Sequence, residues 1–141
     1  MVVKVECYAS RVKQRIGYGI YKEGKLVDSE VKAYSFTDFK SAIFESIYHG
    51  VLAVRKEVGY EDYLTIVVQN SHVKRWMEER NERRYKNYVE ITDKIFDTLE
   101  EIKGVYRIVY MTKCKTCALV EDGAETKVDL KLEGVDSLLN M

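Results

Sequence analysis

Few side chains in this sequence are placed to do chemistry, and their spacing limits what they can do. Cys114-Lys115-Thr116-Cys117 is a C-x-x-C, a spacing used by zinc sites and by dithiol redox centres. A structural zinc needs four ligands, and no second Cys or His pair follows at finger-like spacing. A thioredoxin-like pair is expected at a helix start after an early strand, not near the end of the chain. With Cys7, the pair therefore reads first as free thiols, then as a local disulfide, and last as a zinc site. His49 and His72 fall in stretches of helical periodicity. His72 would share a face with Asn70 if the preceding strand ran on, but a solvent-facing histidine near a helix start is the simpler reading. No nucleophile elbow, P-loop or dinucleotide fingerprint is present.

Two basic stretches have the composition to grip phosphate. One is Arg11-Val12-Lys13-Gln14-Arg15. The other holds Lys74, Arg75, Arg80, Arg83, Arg84 and Lys86, interleaved with Trp76 and Tyr85. Cationic contacts to phosphate plus an aromatic platform for bases are the usual ingredients of nucleic-acid binding. Glu78, Glu79 and Glu82 share the second stretch and leave it a net of three positive charges. A solvated helix with i,i+4 ion pairs has the same composition, with Trp76 in its core.

Over the whole chain, 23 Lys and Arg balance 23 Asp and Glu, which removes the simplest case for a generic nucleic-acid binder and leaves local patches. The 141 residues suit one domain, and 46% hydrophobic with 33% charged is a globular balance. No apolar run approaches a membrane span, and the alternating N-terminus does not read as a signal peptide, so a cytoplasmic location is the default. Abundant Lys, Glu and Val with few amides fit a protein selected for heat. The absence of proline does not.

The elements that would position these residues follow from periodicity. Alternation over residues 2–9 predicts a strand, Gly17-Tyr18-Gly19-Ile20-Tyr21 opens a second, and Leu26 to Phe36 forms a third, an antiparallel meander. From Phe39 to Val54 the apolar stripe turns helical, with Ser35 or Thr37 as cap and Gly59 just past the end. Tyr63 to Val68 reads as a central, mostly parallel strand. Asn70-Ser71 can cap a second helix carrying Val73, Trp76 and Met77. A third helix has the stripe Tyr88, Ile91, Ile95, Phe96, Leu99 and Ile102, and Val105 to Met111 is a further strand. In the last thirty residues Val128, Leu130 and Leu132 alternate as in a strand, with a short helix as the alternative.

This order of elements resembles the ribonuclease H-like fold. Gly17-Tyr18-Gly19 is similar to the second-strand start of ribonuclease H proteins. Ala42-Ile43-Phe44-Glu45-Ser46-Ile47-Tyr48-His49-Gly50-Val51 resembles their first-helix segment. Val68-Gln69-Asn70-Ser71-His72-Val73, followed by Trp76, resembles the segment that ends their fourth strand, and Tyr85-Lys86-Asn87-Tyr88 also matches. The resemblance covers residues 2–112. It implies an α/β fold, a ribonuclease H-like mixed five-stranded sheet (three antiparallel strands, then parallel strands) flanked by helices. One domain over 1–141 is expected, with 113–141 an atypical C-terminal extension.

The family hydrolyses RNA paired to DNA with two divalent ions held by acidic side chains. Two dications about 4 Å apart need several carboxylates to offset their repulsion. By the resemblance, the first acidic position falls on Glu6, or on Tyr8 if the following loop is shorter; a strand points both to one face. The helix glutamate falls on Ile43, while Glu45 sits about 200° further round the helix. The strand-end aspartate falls on Asn70, a neutral amide. Asp129 is the candidate for the fourth position. The expectation is therefore a non-catalytic ribonuclease H-like domain without a resident metal. It would bind nucleic acid (RNA/DNA hybrid, duplex or single strand) through Arg11, Lys13, Arg15, Lys74, Arg75, Trp76, Arg80, Arg83, Arg84 and Lys86. The alternatives are a protein-interaction or scaffold module, possible as a homodimer, and a residual Mg- or Mn-dependent hybrid ribonuclease.

Overall fold

The computed structural model describes residues 1–79 and 86–121. Strands β1 (Val2–Ser10), β2 (Arg15–Lys22) and β3 (Lys25–Ala33) form the meander. They are followed by α1 (Phe39–Val54), β4 (Tyr63–Val68), α2 (Ser71–Glu79), α3 (Val89–Leu99), β5 (Val105–Tyr110) and α4 (Lys115–Glu121). The five strands make one sheet in the order β3-β2-β1-β4-β5. β1 pairs antiparallel with β2 and parallel with β4, and β5 runs parallel beside β4. This is the mixed α/β sheet expected from the resemblance.

The strand period of two divides β1 between two jobs. Val3, Val5, Cys7 and Ala9 are buried in the main core with Ile43, Phe44, Ile47 and Val51 of α1. On the other face, Glu6 reaches Thr116 and Tyr8 reaches Glu121, both in α4. The register places Glu6 opposite Gly19 and Tyr8 opposite Gly17. A Cβ on Gly19 would lie 2.5 Å from Thr116 Oγ1, and one on Gly17 would lie 2.8 Å from Val120 Cγ2. The Gly-Tyr-Gly signature thus has a local cause: α4 rests directly on the β2 backbone. Gly19→Ala is expected to lose about 1–3 kcal/mol, because a methyl group there must push α4 away. Urea unfolding of the variant checks it; unchanged stability would mean that α4 yields freely.

Helix α1 begins where its stripe does, at Phe39. Its cap is Asp38, whose Oδ1 accepts from the Lys40 N–H at 3.1 Å, not Ser35 or Thr37. An ionised Asx side chain directly before the first helical residue is the better acceptor. Under α1, Trp76 meets Phe44 at 5.3 Å and Phe96 at 4.8 Å between ring centroids. Among the described residues, no helix is long and apolar enough to cross a membrane. The strand expected around Val128 to Leu132 and the candidate Asp129 lie outside the described residues, as do Arg80, Arg83, Arg84 and Tyr85.

Candidate nucleic-acid interface

Ile43 and Asn70 meet in one groove of about 420 Å³, lined also by Arg11, Gln14, Asp38, Phe39 and Lys40. The groove lies where α1 starts, where β4 ends and where the β1–β2 hairpin turns. Asn70 begins α2 as its sequence suggested: its Oδ1 accepts from the Val73 N–H at 2.9 Å, and its carbonyl accepts from Lys74 N–H at 3.0 Å. Ile43 is buried and apolar. Gln14 holds the rim. Its Oε1 accepts from Phe36 N–H at 2.9 Å, its Nε2 donates to the Arg11 carbonyl at 3.0 Å, and it has φ of 54°. A left-handed residue with an amide side chain is a local solution to this tight hairpin.

Glu6 lines no part of this groove, so the expected grouping of Glu6 with Ile43 and Asn70 is corrected. It is 1% exposed on the α4 side of the sheet. Its Oε1 accepts from the Thr116 N–H at 2.9 Å and from Thr116 Oγ1 at 3.0 Å, and its Oε2 pairs with Lys4 Nζ at 3.1 Å. Tyr8, the other choice for that position, donates to Glu121 Oε2 at 2.8 Å, and Ser10 donates to Glu121 Oε1 at 2.7 Å. Burial, reinforced by the Glu121 carboxylate, holds the Tyr8 phenol well above its ordinary value. Glu45 faces elsewhere and lies 3.5 Å from His49 Nε2. Among the described residues, no three His, Cys, Asp or Glu side chains are grouped so as to hold a metal ion.

The basic residues divide sharply. Arg11 and Lys13 are exposed on the hairpin, with the Arg11 guanidinium 4.4 Å from the Phe39 ring centre. Arg15 is instead turned to α4, donating to the Val120 carbonyl at 3.2 Å. Lys74 pairs with Glu78 at 3.0 Å, a solvated i,i+4 contact, whereas Arg75 and Lys86 are exposed. Trp76 is 0% exposed and so is no platform for bases; its helix turns it into the core between two phenylalanines. His72 is exposed in the first turn of α2. The structure adds Lys40, which lines the groove from the first turn of α1. Sequence reasoning missed it because the cap was placed at Ser35 or Thr37 and not at Asp38.

No protein-family model matches the chain, and no curated protein does. Solved structures do. Ribonuclease H1 from the halophilic archaeon Halobacterium salinarum superposes with a TM-score of 0.66 at 11% identity, over 80% of this chain and 87% of that one. The N-terminal ribonuclease H domain of a Mycobacterium tuberculosis protein gives 0.63 at 9% identity, over 80% and 88%. The chain has a ribonuclease H-like fold. A third such structure, LC11 ribonuclease H1 in complex with an RNA/DNA hybrid, gives 0.59 at 16% identity, over 82% and 88%. Within this ribonuclease H-like fold, the sheet order and the helix α1 are those that the sequence resemblance implied.

Proposed function

We propose that this ribonuclease H-like chain binds nucleic acid through the groove at Arg11, Lys40 and Asn70 and does not hydrolyse it by a two-metal route. The sign of the groove carries this reading. Two dications need a concentration of carboxylates. Here the groove is lined by Arg11 and Lys40 beside the apolar Ile43. Among the described residues that line it, the one carboxylate, Asp38, caps α1 and accepts a hydrogen bond from the Tyr88 hydroxyl. The Asn70 carbonyl oxygen is spent on α2, and Glu6 is engaged beneath α4. Among the described residues, the side chains at the groove therefore do not fit a pair of catalytic metal ions. They fit a phosphate, which takes N–H donors and positive charge.

Exposed Lys13 on the same hairpin, with Arg75 in α2 and Lys86 after it, would extend the contact along a backbone. A hybrid is the first ligand to test, since the third structural neighbour was solved with one. Binding would be driven by phosphate contacts and so would be strongly salt-dependent.

Anisotropy of a labelled hybrid, duplex and single strand across salt tests this. Arg11→Ala with Lys40→Ala is expected to flatten the slope of log affinity against log salt by about two, roughly one per lost phosphate contact. No complex at low salt would end the reading and favour a protein-interaction module, for which a homodimer in solution is the first check. Incubating the hybrid with magnesium or manganese is expected to leave it intact. Cleavage that Glu6→Gln abolishes would restore the hydrolytic reading.

A further inference from the structure

We propose that Cys114 and Cys117 are a reversible dithiol–disulfide pair that clamps the first turn of α4 onto Glu6. The C-x-x-C does sit at a helix start, against the expectation from its place in the chain: α4 begins at Lys115, between the two cysteines. Their Sγ atoms are 2.6 Å apart, and each backbone N–H donates to the other's sulfur at 3.2 Å. Bond formation therefore requires the two sulfurs to close by only about 0.5 Å. Both cysteines are partly exposed, and so within reach of a small oxidant, with exposed Lys113 and Lys115 beside them to attract an anionic one. Cys7 is the opposite case. It is 2% exposed under α1, against Gly50, and burial raises its thiol far above the ordinary range.

What makes the pair consequential is the residue it brackets. Thr116 is fully buried and supplies both hydrogen bonds to Glu6 Oε1, while its hydroxyl also meets Tyr21 OH at 3.2 Å. Closing a disulfide across Thr116 fixes the turn that presents these donors. Reduction leaves them held by the weaker contacts alone.

The oxidant is a low-molecular-weight disulfide such as glutathione disulfide. Cys117 is the attacking sulfur, because its hydrogen bond with the adjacent Cys114 sulfur holds the Cys117 thiol below the usual value. The Cys117 thiolate displaces one glutathione thiolate to form a mixed disulfide. Cys114 then gives up its proton, its sulfur attacks Cys117 and the second glutathione leaves. Two protein thiols become one disulfide, and one glutathione disulfide becomes two thiols.

The full chain is equilibrated in glutathione buffers of graded ratio, quenched in acid, unfolded in denaturant, alkylated and weighed. The expected product has lost two hydrogens and alkylates once, at Cys7; Cys114→Ser instead retains glutathione on Cys117. Amide exchange at Thr116 is expected to slow about tenfold or more in the oxidised form, as a locally opening turn becomes tied. Three alkylations after oxidation, a lasting glutathione adduct on the wild-type protein, or equal Thr116 exchange in both states would overturn the proposal. The exchange comparison uses the wild-type chain and so does not depend on a variant folding.

Discussion

Trp76→Ala is expected to cost about 3–5 kcal/mol of stability and to leave the nucleic-acid affinity of the folded fraction unchanged. The indole is the largest fully buried side chain, at 0% exposure, wedged between Phe44 and Phe96. Removing it deletes apolar contact and leaves a cavity that α1, α2 and α3 cannot close without moving. Trp76→Phe keeps most of that volume and should fall well short of the alanine loss. Urea unfolding followed by circular dichroism measures both, and anisotropy below the transition reads the affinity. An alanine variant as stable as wild type that binds a single strand less well would put the indole back on the surface as a stacking platform.

Glu6→Ala is expected to destabilise by about 3 kcal/mol. Two donors of the buried Thr116 lose their acceptor, and an unsatisfied buried donor costs about 1–3 kcal/mol. Lys4 also loses its partner. Glu6→Gln separates the two effects. Its amide oxygen can still accept from Thr116 while the charge pair with Lys4 is gone, so a loss of about 1 kcal/mol is expected, in line with a partly exposed pair. Equal losses for the two variants would place the value of Glu6 in its charge and not in its hold on α4. Accelerated alkylation of Cys117 in Glu6→Ala would show directly that α4 has lifted.

The sheet was legible because its strands obey a plain period and its glycines interrupt it. Tyr63 to Val68 coincides with β4, and the stripe from Phe39 to Val54 coincides with α1. The α1 cap was misplaced because Ser, Thr and Asp stand within four residues of one another and only tertiary geometry selects Asp38. Helix α4 was not legible. Its seven residues are too few for a helical period and include Thr and Val, poor helix formers; tertiary contacts hold it. The site was half legible. Ile43 and Asn70 line one groove, whereas strand alternation alone cannot reveal that the face carrying Glu6 is covered by helix α4. Trp76 illustrates a different limit: beside Arg75 it looks like a binding residue, and only the helix phase sends it inward.

The seating of α4 on β1 and β2 joins residues 110 and 113 positions apart, Glu6 to Thr116 and Tyr8 to Glu121. A chain emerging from the ribosome makes these strands first and their cover much later, because such distant partners must await the whole intervening chain. Until Thr116 has been synthesised, Glu6 lacks the donors that cover it beside Gly19. Both strands are made long before the helix that covers them.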